Sequence, residues 1–296
     1  MKSKIKISVG IPACNEEKDI EQVILAIIRQ RGNFKLTEII IVVDGCVDKT
    51  EEIVRGLNQK FRNIILISRK KRRGKNVAIN EILALSKTNL VIIANADNLP
   101  SKNSISELLK KMKDDVGLVG PQAICQLSKK PNLTEKINQI LWSWHHQIAL
   151  KNPKIVSFML VNKTAINKIT YDFPVDEPLI EALVKKNGYR VVYAPKAKLF
   201  IKPPSLLSEH ISRRRSIHFG YFKMAKANID YSPPTMERAV LIKLFLFQIR
   251  RQPMTVTFAA ATEIFSHFLG YYDHIRKKKN QAIWIQATSS KGLKKC

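Results

Sequence analysis

Short runs of β-branched and other apolar residues alternate along the first hundred positions with longer stretches in which apolar residues recur every three or four places. That alternation predicts βαβ units built around a parallel sheet. Residues 5–11 form the first apolar run, and residues 38–43 form a second that ends at Asp44. Between them, residues 19–30 place Ile20, Val23, Ile24, Ile27 and Ile28 on one helical face. The pattern continues with a helix over 48–60, a strand over 63–68 and a helix over 76–86 with Val77, Ile79, Ile82 and Leu83 inward. A fourth strand over 90–94 finishes in Asn95-Ala96-Asp97. Open α/β sheets bind ligands outside the carboxyl ends of their strands, so Asp44 and Asp97 are expected to share one crevice.

Farther along, the pattern predicts a helix over 101–113 with Ser101 as N-cap and a strand over 116–124 interrupted at Gly120-Pro121. A helix over 133–150 carries Trp142, Trp144, His145 and His146; its tryptophans read either as packing residues or as the lining of an acceptor groove. A strand over 156–161, a helix over 177–187 ended by Gly188 and a strand over 189–193 follow. Beyond Pro203-Pro204 the character changes to a basic helix around Arg213, a break at Pro233-Pro234 and two apolar stretches, 239–249 and 254–272. The expected organisation is an α/β domain over 1–225 and a basic, amphipathic helical extension over 226–296. The first stretch is too short to cross a bilayer, and Glu263 and His267 interrupt the second. Two arrangements remain: an interfacial helix pair flanked by Arg250, Arg251 and residues 276–279, or a helical subdomain packed on the core.

A hydrophobic fraction of 45% and a charged fraction of 25% describe a folded protein. Charge points to polyanionic partners: 51 Lys plus Arg against 24 Asp plus Glu leave a formal +27, which favours nucleic acid, nucleotide diphosphates or an anionic membrane face without choosing among them. The basic residues are not interleaved with aromatics, and acidic strand ends suit a phosphodiester backbone poorly, so no nucleic acid partner is expected. Cys14, Cys46, Cys125 and Cys296 have neither zinc nor disulfide spacing, and the first residues lack an apolar export signal. The expected location is the cytoplasm, with peripheral attachment to the membrane face as the extension's contribution.

Three segments carry candidate chemistry. Asp44-Gly45-Cys46-Val47-Asp48-Lys49-Thr50 sets a carboxylate at a strand end, a glycine for the turn and Asp48 as helix N-cap. Asn95-Ala96-Asp97 suits a divalent cation bridging to phosphate oxygens, or else an Asx turn. Asp176-Glu177 opens a helix, where capping alone accounts for both residues and a general base is the functional alternative.

In their order and spacing these segments resemble the inverting glycosyltransferases of family two, over about residues 4–220. Ile7-Ser8-Val9-Gly10-Ile11-Pro12-Ala13-Cys14-Asn15-Glu16-Glu17 is similar to the family's opening strand and Pro-Ala-Tyr-Asn-Glu loop, with Cys14 where an aromatic is common. The Asp44 segment resembles Asp-Gly-Ser-x-Asp-x-Thr, and Gly74-Lys75-Asn76-Val77-Ala78-Ile79-Asn80 resembles Gly-Lys-x-x-Ala-Leu-Asn. Asn95-Ala96-Asp97 stands at the Asp-x-Asp position, with Asn95 departing from it, and Asp176-Glu177 resembles the acidic pair ahead of the Gly-Tyr-Arg strand.

The resemblance implies a GT-A fold, a mixed and mainly parallel sheet flanked by helices. It implies a nucleotide-sugar donor, most commonly UDP-linked, held by Pro12, Ala13, Asn15, Glu16, Asp44, Gly74, Lys75 and Asn95. It further implies a Mg2+ or Mn2+ ion on Asp97, and Glu177 with Asp176 as the base for one inverting displacement onto a glycan or lipid-linked acceptor. Residues 210–220 resemble the Gln-x-x-Arg-Trp block of processive synthases but keep only Arg215, with Ser212 and Ser216 at the other two positions. Single addition is therefore implied, with Arg213 and Arg215 left to neutralise the leaving diphosphate. Cys14 and Cys46 are expected either to face the same crevice or to serve as small buried fillers. A nucleotide-sugar-binding protein without catalysis shares every donor motif and stands as the rival reading; a basic nucleic-acid-binding protein is the less favoured one.

Overall fold

A computed structural model describes residues 4–170, 173–276 and 288–293; Cys296 and the basic residues at 277–279 lie outside them. The chain runs β1 Ile5–Ala13, α1 Ile20–Ile28, β2 Phe34–Asp44, α2 Thr50–Lys60, β3 Ile64–Arg69, α3 Lys75–Leu85 and β4 Leu90–Ile93. It continues β5 Asn98–Pro100, α4 Ser104–Leu109, β6 Val116–Cys125, α5 Leu133–Ala149, β7 Met159–Asn162, α6 Glu177–Lys186 and β8 Arg190–Ile201. Helices α7 Leu207–Lys226, α8 Arg238–Ile249 and α9 Pro253–Ile275 close the described chain, apart from residues 288–293.

The eight strands form one sheet in the order β3-β2-β1-β4-β7-β6-β8-β5. Strands β1 to β4 are parallel, β7 and β5 run against their neighbours, and β6 is parallel to β8. This is the mixed, mainly parallel sheet that the resemblance implies. Helices cover both faces, so the central strands are apolar on both sides: Ile39, Ile41 and Val43 of β2 enter one core, Ile40 and Val42 the other. Because parallel strands finish together, the ends of β1, β2 and β4 lie side by side on one rim.

Several elements differ from the pattern-based expectation, each for a tertiary reason. Helix α4 begins at Ser104, not at 101, because Ser101 N donates to Lys198 O (2.9 Å) and the Ser104 hydroxyl donates to the same carbonyl (2.6 Å). The short β5 pairs with β8 over Asn98–Pro100, a length that leaves no periodicity to read. Strand β8 runs on to Ile201 with lysines alternating outward, past a register shift opposite Pro121/Gln122. Helix α5 carries a capping box, Glu135 N to Asn132 Oδ1 at 2.9 Å and Asn132 N to Glu135 Oε2 at 3.1 Å.

Of the extension's two helices, α9 packs on the rest of the protein and α8 stands apart from the main core. Helix α9 buries Val256, Ala259, Thr262, Ser266, Gly270 and Asp273. Val256 packs against Trp144, which settles that tryptophan as a packing residue. Glu263 meets Arg214 at 2.6 Å; burial opposes its charge, but Arg214 and His218 hold its carboxyl down to about 2. Helix α8 buries no residue. No helix among the described residues is long and apolar enough to cross a membrane.

Candidate functional site

At the rim, β1 hands over to the turn Cys14-Asn15-Glu16. Pro12 and Ala13 lie in the sheet beside Val42 and Val43. Asn15 has a positive φ of 52°, which asparagine tolerates better than most residues. Its side chain accepts from Val47 N (2.9 Å) and its amide donates to Cys46 Sγ (3.1 Å), so Asn15 ties the ends of β1 and β2 together. Asp48 does the same from the other side, accepting from Glu17 N (3.1 Å) and Thr50 N (3.0 Å). The helix proper starts at Thr50.

Asp44 is 4% exposed, and its oxygens accept from Arg73 N (3.0 Å) and Gly74 N (2.7 Å), with Arg69 Nη1 at 3.4 Å. Gly74 has φ 100°, open to glycine at little cost, and that conformation turns both amides toward the carboxylate. Asp44 therefore supports the turn from which α3 begins at Lys75. Two asparagines of the same helix hold the approach to α6. Asn76 donates to Phe173 O (3.0 Å), and Asn80 pairs with both the carbonyl and the amide of Ile169 (2.7 Å each).

Lys75 reaches the start of α6, its Nζ 2.6 Å from Asp176 Oδ2 and 4.0 Å from Glu177 Oε1. Asp176 makes no side-chain capping bond, so helix capping is not what fixes this pair. Burial and the Asp176 charge push the Glu177 carboxyl up to about 7, with Lys75 and Lys154 pulling it back. A carboxylate titrating there, with 24% of its side chain open, is suited to accept a proton. Burial disfavours the Lys75 ammonium, but Asp176 and Glu177 outweigh it and its pKa is raised. Removing that cation, as in Lys75→Met, is expected to move the Glu177 titration upward. The acid limb of the kcat profile then shifts to higher pH, whereas an unmoved profile dismisses the pairing.

Asp97, in the turn between β4 and β5, lies within the electrostatic reach of both Lys75 and Glu16. Burial first, and the Asp97 charge second, push the Glu16 carboxyl up to about 8. Lys291 donates to Glu16 Oε2 and stands 3.8 Å from Asp97 Oδ2. Asn95 is half-buried between the buried Ala94 and Ala96. Asp97 and Asn95 are the oxygen-bearing side chains of this segment that would be available to a Mg2+ or Mn2+ ion. Among the described residues no group of three His, Cys, Asp or Glu forms a protein cage for it.

The arginines divide. Arg215 is held by a bidentate pair with Asp273 of α9, both bonds at 2.5 Å, while the charge of Arg213 reaches Cys125 at the end of β6. Two lysines near the carboxylates have no sequence motif. Lys154 is buried against Glu181 at 2.8 Å, and its charge reaches Glu177; Lys291 sits almost two hundred positions from Asp97. Cys14 and Cys46 are half-buried at the rim, with the Cys46 hydrogen bond and Arg72 favouring the Cys14 thiolate. Bound nucleotide diphosphate is expected to slow thiol labelling of both; equal rates with and without nucleotide would place them outside the site.

Comparison with known proteins gives one consistent picture. The family model described as Glycosyl transferase family 2 matches residues 8–168. A probable glycosyltransferase, YdaM of Bacillus subtilis, is 33% identical over 118 residues, 39% of this chain and 28% of that protein. Dolichyl-phosphate beta-glucosyltransferase ALG5D of Trichomonas vaginalis is 27% identical over 146 residues, 45% of this chain and 44% of that protein. The matched region thus spans less than half the length of these curated relatives. Among solved structures, the mannosyltransferase PcManGT from Pyrobaculum calidifontis in complex with GDP-Man and Mn2+ superposes with a TM-score of 0.64 at 18% identity. That match covers 94% of this chain and 89% of that one. S. aureus TarS 1-349 in complex with UDP-GlcNAc superposes with a TM-score of 0.52 at 13% identity, covering 93% of each chain. At such identities the likeness is one of fold.

Proposed function

The chain belongs to glycosyl transferase family 2, and from that membership we propose that it transfers one sugar from a nucleotide diphosphate, with inversion, to an acceptor hydroxyl. The observation that carries the reading is the bridge made by Lys75. It joins Asp176 and Glu177, from the far half of the sheet, to the turn on Asp44, within the field of Asp97. Glu177 takes the proton of the acceptor hydroxyl as that oxygen forms its bond to the anomeric carbon. The bond from the anomeric carbon to the diphosphate breaks, and the diphosphate leaves with the electron pair. Asp176 and Lys75 hold the base, and Asn76 and Asn80 hold the loop that leads to it. A Mg2+ or Mn2+ ion on Asp97 would supply Lewis-acid charge to the diphosphate oxygens. The loss of the aromatic partner to Arg215 supports single addition.

The deciding experiment is release of nucleoside diphosphate from a panel of UDP-, GDP- and TDP-sugars offered with glycan and polyprenyl-phosphate acceptors. Release that depends on acceptor supports transfer; donor binding with no release under any acceptor would leave a binding protein.

The extension supports an acceptor at a membrane. Ile242, Leu246 and Phe247 of α8 are 58–60% exposed, and Phe268 of α9 is 66% exposed, beside Arg250, Arg251 and Arg276. Such a surface, apolar with a basic margin, suits the anionic headgroup boundary. Co-sedimentation with phosphatidylserine-containing vesicles is expected, reduced by salt and lost in Phe247→Glu/Phe268→Glu. Unchanged pelleting of that double variant would remove the membrane from the reading.

A further inference from the structure

Residues 288–293 fold back from the end of the chain onto the rim, and the seat that receives them is built. Asp19 is fully buried, and its carboxylate accepts from Gly292 N (2.8 Å) and Leu293 N (2.7 Å). Leu293 is itself part of the main core, at 8% exposure. Glu209 of α7 accepts from Thr288 N (2.9 Å) and Ser289 N (3.2 Å), Ser205 N donates to Ser289 Oγ (3.0 Å), and Lys202 Nζ donates to Lys291 O (2.6 Å). Elements from both ends of the domain thus fix six residues, and the side chain they deliver to the strand ends is Lys291, 11% exposed.

Its ammonium lies between the carboxylates of Glu16 and Asp97. It is hydrogen-bonded to Glu16, while the Asp97 oxygen at 3.8 Å lies beyond hydrogen-bond reach. An ammonium has three donors, so this position leaves N–H capacity for a further acceptor. A diphosphate approaching two carboxylates needs a compensating cation. Arg215, which the resemblance assigns to that task, is bound to Asp273. Asn95, in place of an aspartate, lowers the negative charge a cation must balance there.

From this arrangement, and resting on the donor-site reading above, we infer that Lys291 is a donor-binding residue. Its ammonium meets the diphosphate of the nucleotide sugar, with residues 288–293 forming a wall of the donor site. Because this cation belongs to the chain, nucleoside diphosphate binding persists when divalent ions are chelated.

Calorimetric titration of UDP and GDP, with EDTA and separately with Mn2+, tests this without recourse to turnover. In EDTA the unaltered chain is expected to bind, Lys291→Met to bind about tenfold more weakly, and Lys291→Arg to recover most of the loss. A chain ended at residue 287 should weaken in the same direction, and an unchanged melting temperature of Lys291→Met keeps folding out of the comparison. Equal or tighter binding by Lys291→Met overturns the assignment, since the segment would then be a plug that nucleotide displaces. Binding by the unaltered chain in Mn2+ but none in EDTA overturns it as well, by giving the whole task to the metal. Binding of neither nucleotide under either condition removes the donor site itself, and Lys291 with it.

Discussion

Glu177→Gln is expected to lower kcat by about 10²–10⁴-fold, the usual contribution of a general base, while nucleotide diphosphate affinity stays within a few-fold of the unaltered chain. The glutamine keeps the size and hydrogen-bonding reach of the side chain but cannot accept the acceptor's proton. Steady-state kinetics with parallel nucleotide titrations measure both quantities. Loss of nucleotide binding with the fold intact, or a kcat that barely changes, would remove Glu177 from the base position. The pH profile follows from the same group. Its carboxyl, raised by burial and Asp176 to about 7, must be ionised to act. Activity should therefore rise as pH climbs through about 7 and level off above it, with each unit below costing up to about tenfold in the ionised fraction. The profile of Glu177→Gln should lose that limb.

The largest effect on stability is expected at Glu181. Its carboxylate is wholly buried; Oε1 accepts from Lys154 Nζ (2.8 Å) and Ile155 N (2.8 Å), and Oε2 accepts from Tyr231 OH (2.9 Å). Burial opposes the charge of Lys154, and the carboxylate overrides it, holding its pKa well above the ordinary lysine value. Glu181→Ala strands that ammonium, an amide and a phenol without their acceptor, and should cost about 3–5 kcal/mol of unfolding free energy by urea denaturation. Adding Lys154→Met should recover much of the loss, because two apolar groups do not carry the desolvation penalty of one unpaired charge. A loss under about 1 kcal/mol would mean that water or another group satisfies Lys154. The pair also bears on catalysis, since the Lys154 charge helps to keep Glu177 from rising further.

The candidate donor-side residues were legible as a group because they are local to strand ends. Asp44, Lys75 and Asp97 each sit within a few positions of a strand or helix boundary that hydrophobic periodicity marks, and parallel strands bring those boundaries to one rim. Asp176 and Glu177 were legible as a motif, but their partner was not. Capping and catalysis make the same demand on a one-dimensional pattern; the structure shows no side-chain cap from Asp176 and a contact with Lys75 at 2.6 Å in its place. Asp44 looked like a ligand residue, and the structure gives its oxygens to the amides of Arg73 and Gly74. Arg215 matched a phosphate-binding position, yet Asp273 holds it, and no periodicity reports a pair 58 positions apart.

By itself the sequence determined the alternation of strand and helix, the mixed α/β architecture and the family, because burial on one face or two imposes a period that survives in any register of packing. Tertiary structure alone decided which charges meet. Lys291, one lysine among many in a basic tail, acquires meaning only where Asp19 and Glu209 dock its backbone beside Glu16 and Asp97. Pairing energies depend on distance and burial, and a chain folding back over hundreds of positions fixes both without leaving a local signature.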